Sequence, residues 1–259
     1  MTQETIVERV EHGRVSVLSL NHRPHNLLGP TLLNAVLKSL QEAHEAGSRA
    51  IVLKSSLRHF SAGAEIEMFE AVINEGAKIP IDFVEFLKAF ESFRLPIVAS
   101  VHGVCVGGGF ELALACDYIV ASTSSKIGSV EAALGLHPLM GGIQRATQRA
   151  GVLRAKEMSL LGRRYDPTTL ERWGMINLVV ADEVLDATAL TIAEELAHGP
   201  TIAHAATKRL AQIAVNEGVE AADRAMEEIQ MSIWASDDLK IGLAAFRNSG
   251  VGSAKFQGT

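Results

Sequence analysis

Three consecutive glycines followed closely by a glutamate give the sequence its clearest chemical signal. Residues 107–109 end the stretch HGVCVGGG, and Glu111 lies in the apolar segment FELALAC that follows. Glycine loses more conformational entropy on folding than any other residue. Three in a row therefore indicate either a backbone that must approach another group closely or a tight turn.

The order strand, glycines, helix favours a site for a developing negative charge. PIVASV is predicted as a buried strand and FELALACD as a helix, so the glycines precede a helix start. The first N–H groups of a helix have no partner within it, and the macrodipole adds partial positive charge. Such a group could stabilise a carbonyl oxygen that becomes an oxyanion. A turn that packs the helix on the strand explains the glycines equally well, and both interpretations remain open.

An oxyanion hole requires a second donor, and residues 60–66, FSAGAEI, are the candidate. They form a loop of small residues after the predicted strand AIVLKSS, and the loop leads into a helix. Two carboxylates could supply acid–base chemistry beside these loops. Glu111 and Glu131, in IGSVEAALG, both lie in apolar local sequence, where an unpaired carboxylate is costly. The alternative is that Glu111 caps a helix and Glu131 lies on the surface.

Composition and charge exclude several classes of protein. The 259 residues are 47% hydrophobic and 21% charged, and the net charge of −6 argues against nucleic acid or an acidic membrane as the main partner. The two cysteines, Cys105 and Cys116, make no disulfide framework and indicate a reducing compartment. The N-terminal residues contain no signal-peptide pattern, and glycines and acidic residues interrupt the most apolar region, 95–121. We therefore predict a cytoplasmic protein.

Several nucleotide, hydrolase and metal motifs are absent from the sequence. It contains no GxxxxGK[ST], no GxGxxG after a predicted strand and no GxSxG. It also contains no HExxH or other His and Cys spacing typical of a metal site. We predict no metal and no cofactor.

Strands alternate with helices in the first half of the chain, which predicts an α/β fold with parallel βαβ units. ETIVERVEHG and RVSVLSL, joined at His12-Gly13, are typical of a hairpin. PTLLNAVLKSLQEAHEAG is predicted as a helix, whereas AIVLKSS, PIVASV and DYIVAS are predicted as strands. From about residue 141 the pattern becomes mostly helical.

These segments together resemble the crotonase superfamily, the enoyl-CoA hydratase/isomerase family. FSAGAEI, HGVCVGGGFELALACDYIVAS, IGSVEAALGL, GGIQR and RWGMINLVV occur in the family's order along nearly the whole chain. The resemblance implies a spiral of ββα turns over residues 1–195 that carries an acyl-CoA site. A continuous helical region over 196–259 would mediate association into homotrimers or dimers of trimers. Coenzyme A would enter only as part of the substrate.

The resemblance also implies roles for individual residues. By motif position, the backbone N–H groups of Ala64 and Gly108 would hold the thioester oxygen. Glu111 would activate a water molecule, and Glu131 would protonate the substrate Cα. The start of a helix favours an ionised Glu111, whereas a drier setting would raise the pKa of Glu131.

Further positions are implied as contacts to coenzyme A or the acyl group. The coenzyme A and substrate positions are Arg23, His25, Asn26, Ala62, Glu65, Ile66, Gly107 and Lys255. For the charged side chains, simple exposure on the surface is an equal alternative. Met68, Phe69 and Phe86 line either an acyl tunnel or the core. The sequence departs from the family pattern at Glu65, where aspartate is usual, and at Leu139, Met140 and Ile143, which add bulk near the acyl pocket.

We predict that the protein hydrates a 2-enoyl-CoA thioester to a 3-hydroxyacyl-CoA through an enolate stabilised by the oxyanion hole. Another acyl-CoA reaction on the same scaffold is the main alternative: double-bond isomerisation, decarboxylation or thioester hydrolysis. A non-catalytic binding protein is the third. The paired glutamates favour hydration over both.

Overall fold

A computed structural model describes residues 5–259, so Glu4, with which the predicted first strand begins, lies outside the described residues. The strands are β1 (Val7–His12), β2 (Val15–Leu20), β3 (Ala50–Ser55), β4 (Ile97–Val101), β5 (Val104–Val106), β6 (Tyr118–Ser122), β7 (Lys126–Gly128), β8 (Arg164–Tyr165) and β9 (Leu178–Val180). The helices are α1 (Pro30–Glu45), α2 (Ile66–Glu75), α3 (Phe83–Glu91), α4 (Gly108–Leu114), α5 (Gly142–Leu161), α6 (Pro167–Arg172), α7 (Leu185–His198), α8 (Thr201–Glu217), α9 (Val219–Trp234) and α10 (Asp237–Ser249). Short 3-10 turns occupy Glu131–Leu134 and Asp182–Val184.

The described strands form two sheets, which confirms the predicted α/β class. The larger sheet has the order β1-β2-β3-β4-β6-β9. Strands β1 and β2 form the predicted antiparallel hairpin, and every other neighbouring pair in this sheet is parallel. The smaller sheet has the order β5-β7-β8, and β5 lies inside the segment that the sequence suggested was a glycine-rich loop.

The core lies on both faces of the larger sheet. Strand β4 is buried at every position and β3 at all but one, as expected for parallel strands covered by helices on both sides. Helix α7 covers one face with small residues, among them Ala189 and Ala193, and packs on Val52, Val98 and Val120. On the other face, the larger cluster of buried side chains includes residues of α1, α3 and α4.

Helices α8, α9 and α10 form the predicted helical C-terminal region. Helix α8 is anchored to the first part of the chain by contacts that include the side chains of Lys208 and Gln212. Lys208 Nζ lies 2.7 Å from Asp117 Oδ2, and Gln212 Nε2 donates to Glu91 O at 2.7 Å. The predicted boundary between residues 195 and 196 falls within α7, and the division into two regions stays a prediction. In the part of the chain that the structure describes, every helix is too short or too polar to span a bilayer.

The last residues of the chain pack against the start of strand β3. The buried carboxylate of Asp238 accepts hydrogen bonds from the backbone N–H groups of Gln257, at 2.6 Å, and Gly258, at 2.9 Å. Arg49, which precedes β3, donates to the carbonyl oxygen of Phe256 at 3.0 Å. These bonds fix the C-terminal tail at the opposite end of β3 from the loop that begins after Ser55.

Asn26 ties this loop to the segment before α1. Its side chain is fully buried, and Nδ2 donates to Ser55 Oγ at 2.7 Å and to the carbonyl oxygen of Phe60 at 3.1 Å. Its Oδ1 accepts from the N–H of His22 at 2.8 Å. The backbone has φ +50°, a conformation that asparagine tolerates better than most residues. One side chain thus joins three separate pieces of backbone.

We expect Asn26→Ala to lower the free energy of unfolding by about 3 kcal/mol, because it leaves several buried groups without partners. Asn21→Ala is the matched control: it removes an exposed hydrogen bond to Glu8 and should change the value by less than about 0.5 kcal/mol. Chemical denaturation measures both. Equal midpoints for the two variants would contradict the role given to Asn26.

Candidate active site

The loop of residues 60–66 is held between two neighbouring pieces of backbone. On one side the N–H of Ser61 donates to Val104 O, and the N–H of Val106 donates to Ser61 O, both at 3.2 Å. On the other side the N–H of Leu28 donates to Gly63 O at 2.8 Å, and the N–H of Glu65 donates to Leu28 O at 3.1 Å. The loop therefore continues the pattern of a parallel sheet on both sides.

Two of the three glycines have distinct reasons to be glycine. Gly107 has φ +55°, in the left-handed region that side chains disfavour. Gly109 touches the loop: a Cβ atom there would lie 2.6 Å from the Cβ of Ser61 and 2.9 Å from its carbonyl oxygen. Helix α4 can approach the 60–66 loop this closely only without a side chain at position 109. Both explanations of the glycines, a close backbone approach and a tight turn, therefore hold.

The backbone N–H groups of Ala64 and Gly108 lie near each other, and no protein acceptor is found for either among the described residues. The N atom of Ala64 lies 3.9 Å from the position that a Cβ would take on Gly108. Among the hydrogen bonds of the described residues, none uses the N–H of Ala64 or of Gly108. Two free donors on adjacent, fixed loops are the arrangement that an oxyanion hole requires.

Glu111 is buried at the same place, with 3% of its surface exposed. Its Oε1 accepts from the backbone N–H of Gly142 at 2.7 Å and from that of Met140 at 2.9 Å. A Cβ on Gly142 would lie 2.7 Å from the Cγ of Glu111, so this glycine lets the backbone reach the carboxylate. The segment 140–142 thereby fixes the orientation of the Glu111 side chain.

The pKa of Glu111 is raised to about 7, chiefly by burial and also by the neighbouring Glu131 carboxylate. The bonds from Gly142 and Met140 and the charge of Arg145 act in the opposite direction and are outweighed. The sequence-based expectation was that the start of a helix favours an ionised Glu111, whereas the net shift of its pKa favours the protonated form. The loss of water around the carboxylate is the largest contribution to its pKa shift.

Glu131 follows strand β7, at the start of a 3-10 turn, and is half-buried. Its Oε2 accepts from the hydroxyl of Ser129 at 2.8 Å. Its Oε1 is buried and has no hydrogen-bond partner among the described residues. A Cβ on Gly107 would lie 3.6 Å from this Oε1, so the free oxygen is beside the glycine loop.

One cavity of about 90 Å³ joins these groups. Ala64, Gly108, Glu111 and Glu131 all line it. Its remaining wall is mostly apolar and is formed by Ala62, Gly63, Ile66, Phe69, Phe83, Gly107, Val130, Leu134, Leu136, Leu139 and Met140. A small apolar cavity with two free N–H donors and two carboxyl groups suits proton transfer next to a stabilised oxyanion.

Known proteins share this architecture along the whole chain. The family model for enoyl-CoA hydratase/isomerase matches residues 11–255. The chain belongs to this family. A probable enoyl-CoA hydratase of Rhizobium meliloti is 36% identical over 263 residues, covering 95% of this chain and 96% of that protein. One of Mycobacterium bovis is 35% identical over 255 residues, covering 95% and 96%.

Solved structures agree with the family assignment. The enoyl-CoA hydratase subunit I of Geobacillus kaustophilus superposes with a TM-score of 0.87 at 30% identity, covering 98% of each chain. The enoyl-CoA hydratase of Bacillus anthracis gives 0.89 at 27% identity, covering 98% of this chain and 100% of that one. The chain thus has the α/β crotonase fold, with two sheets and C-terminal helices.

Of the positions that the family resemblance assigns to coenzyme A or substrate, several lie at or next to the cavity. Ala62, Ile66 and Gly107 line it. His25 is exposed, and its carbonyl oxygen accepts from the N–H of Ala62 at 3.0 Å. Arg23 is exposed two residues before it. The backbone of His25 is thus bonded to a residue that lines the cavity.

Three other positions with that family assignment do not lie in the cavity. The buried side chain of Asn26 is hydrogen-bonded to Ser55, Phe60 and His22. The carboxylate of Glu65 is directed to Gly29, with Oε1 4.0 Å from His22 Nδ1, and does not line the cavity. Lys255 belongs to the tail at the opposite end of β3, so within one chain it is remote from the other predicted residues.

The apolar residues suggested for an acyl tunnel separate in the same way. Phe69 lines the cavity, whereas Met68 and Phe86 belong to the buried core. The sequence reasoning missed Ser129 and His59. The His59 ring lies 5.8 Å from that of His25, and burial lowers its pKa, with Arg58 acting in the same direction. Ser129 could have been noticed from its place two residues before Glu131.

No cluster of His, Cys, Asp or Glu side chains within residues 5–259 has the arrangement of a metal site. The prediction about metals and cofactors therefore stays a prediction.

The free energy of unfolding of Glu111→Gln, measured relative to that of the wild type, should rise with pH. The folded protein retains the Glu111 proton between pH 4.5, the ordinary value, and about 7, whereas the unfolded chain has released it. The favourable contribution present below pH 4.5 is therefore lost as the pH rises to about 7. Glutamine cannot ionise, so at pH 8 the variant should gain up to about 3 kcal/mol over the wild type relative to pH 4.5.

Denaturant titrations at several pH values measure this difference. Glu67→Gln, which changes an exposed carboxylate at the start of α2, serves as control and should show no such trend. A stability difference between Glu111→Gln and wild type that is constant from pH 4.5 to 8 would contradict the raised pKa.

Proposed function

We propose that the protein hydrates a 2-enoyl-CoA thioester to a 3-hydroxyacyl-CoA. One observation carries the proposal: two carboxyl groups and two unpaired N–H groups meet in a single cavity. Family membership and relatives that are named probable enoyl-CoA hydratases support it. Adding water across a double bond uses one group to activate the water and a second to supply a proton. Double-bond isomerisation, decarboxylation and thioester hydrolysis include no such addition, so the pair of carboxyl groups favours hydration.

In this mechanism the thioester oxygen accepts hydrogen bonds from the N–H groups of Ala64 and Gly108. The bonds draw electrons from the conjugated double bond and make its Cβ atom electrophilic. They strengthen as negative charge develops on the oxygen, so they stabilise the enolate more than the bound substrate. A small, mostly apolar cavity increases the strength of each bond.

Glu111 takes a proton from a water molecule as the water oxygen bonds to Cβ. Its Oε1 is occupied by Gly142 and Met140, so Oε2 is the oxygen available to the water. A pKa of about 7 suits a group that accepts a proton near neutral pH. Glu131 then delivers a proton to Cα, and the enolate collapses to the thioester. Because Ser129 occupies Oε2 of Glu131, the transferred proton is on Oε1, which faces the cavity.

After one turnover Glu111 carries the proton from water and Glu131 has lost its own. Transfer between the two carboxyl groups, directly or through water, restores the starting state. The two groups interact electrostatically, so protonation of one favours ionisation of the other. The reaction adds one water molecule and changes no oxidation state of the protein.

We propose that the exposed Arg23 and His25 contact the phosphates of coenzyme A, whereas Ala62 and Ile66 contact its pantetheine part. Lys255 would reach a phosphate only on a neighbouring subunit. A homotrimer or dimer of trimers is the assembly that we propose. Exposed apolar side chains on α9 and α10 support association: Met231, Trp234, Leu243 and Phe246.

Purified protein should remove the absorbance of the conjugated thioester of crotonyl-CoA. Glu111→Gln and Glu131→Gln should each lower kcat at least about 100-fold, because each removes a proton-transfer group. Glu67→Gln is the control. The kcat should fall below pH 7, where protonated Glu111 no longer accepts a proton. Turnover that persists in Glu131→Gln, or no turnover of any enoyl thioester, would reject hydration.

Ser129→Ala should lower kcat about 10-fold and leave KM within about 2-fold, because the carboxyl group of Glu131 loses the donor that orients it. Ser129→Thr, which keeps the hydroxyl, should restore most of the rate. Ser159→Ala is the matched control, since its hydroxyl contacts Ser129 at 3.4 Å and not Glu131. A wild-type kcat in Ser129→Ala would show that Ser129 does not position Glu131.

A further inference from the structure

A second, larger cavity lies behind the proposed active site. It has a volume of about 530 Å³ and is bounded by α3, α5 and α8. The active-site cavity is smaller, at about 90 Å³. Met140 is the residue that lines both cavities. Met140 therefore lies at the boundary of the two cavities and forms part of the partition between them.

The position of this partition is fixed by the backbone on which it stands. The N–H of Met140 donates to Glu111 Oε1, and so does the N–H of Gly142. The Met140 side chain is 2% exposed, and its Sδ lies 3.4 Å from the position that a Cβ would take on Gly108. The partition thus lies next to one of the two N–H groups proposed to hold the thioester oxygen.

The larger cavity has a mixed lining: polar side chains that include Gln144, Gln148 and Gln212, and an apolar part that offers contacts to a hydrocarbon chain. Val84 and Leu87 of α3 and Val215 of α8 contribute apolar surface to it. Its half-buried charges are paired with each other: Arg145 Nε donates to Glu91 Oε1 at 2.6 Å. An apolar chain that enters would bury apolar surface without separating that ion pair.

We propose that Met140 limits the length of the acyl group that the site accepts. The inference rests on the proposed function for the class of ligand, an acyl thioester, and adds its chain length. With methionine in place, the cavity favours acyl groups of about four carbons. A smaller residue would join the two cavities and admit an eight-carbon chain to the space between α3, α5 and α8.

A different exit from the active-site cavity provides the matched control. Phe83 and Leu139 also line a shallow surface groove, together with Ile79 and Ile81. If acyl chains leave along that groove, then Leu139→Ala should favour long chains and Met140→Ala should not. The two neighbouring substitutions therefore distinguish the two routes.

The experiment measures binding without turnover. Butyryl-CoA and octanoyl-CoA lack the double bond, and titration calorimetry with the full chain gives a Kd for each. We expect the wild type to bind butyryl-CoA more tightly. Met140→Ala should shift the ratio of the two Kd values toward octanoyl-CoA by at least about 10-fold, since methylenes gain an apolar pocket. Met140→Val should shift this ratio less. The valine variant replaces the alanine variant in the test if the latter does not fold.

A filling substitution tests where the longer chain goes. Ala211→Phe, on the α8 wall of the larger cavity, should cancel the gain in a Met140→Ala background. Equal Kd values for both ligands in the wild type, an unchanged ratio in Met140→Ala, or an equal shift in Leu139→Ala would overturn the inference. A wild type that binds neither thioester would overturn it as well.

The outcome is separable from that of the hydratase assay. A protein that shows the expected ratios but does not hydrate crotonyl-CoA would retain the chain-length limit and refute hydration. A protein that hydrates crotonyl-CoA, but whose variants show unchanged Kd ratios, would support hydration and refute the chain-length limit.

Discussion

The site depends on one constraint: residues 61–65 are hydrogen-bonded to a neighbouring segment on each side. Val104 and Val106 hold the loop on one side, and Leu28 holds it on the other. These bonds use N–H and C=O groups of the loop on both sides of position 64, and the N–H of Ala64 is left without a protein acceptor among the described residues. The close packing of Gly109 on Ser61 then brings Gly108 beside it. A donor pair built from backbone in this way needs no rearrangement when charge develops.

The buried carboxyl group of Glu111 shows how function opposes stability in this fold. Two backbone N–H groups and a nearby arginine favour its ionised form, yet burial and the adjacent Glu131 outweigh them. An apolar residue at this position would avoid the free-energy cost of burying a carboxyl group, but it could not exchange a proton. The sheet and the small residues of α7 supply the burial that offsets such a group.

The sequence predicted those parts of the structure whose signals are local. The buried runs that become β3 and β4 are apolar throughout, and the order of motifs identified the family and both carboxyl groups. Strand β5 was missed because three residues inside a glycine-rich stretch are too short to show a period. The pKa of Glu111 depends on residues 140–142, which approach it only in the folded chain. The family resemblance assigned Asn26 to a ligand contact, and its structural partners at Ser55 and Phe60 could not be foreseen because they are distant in sequence.

Helix α8 belongs to two parts of the molecule at once. It forms one wall of the larger cavity, and it packs on α9 among the C-terminal helices. Its polar attachments to the first part of the chain include the Lys208–Asp117 pair and the bond from Gln212 to Glu91. Any force that moves the C-terminal helices is therefore transmitted to the width of that space. Contacts made far from the glutamates can in this way alter which molecules fit beside them.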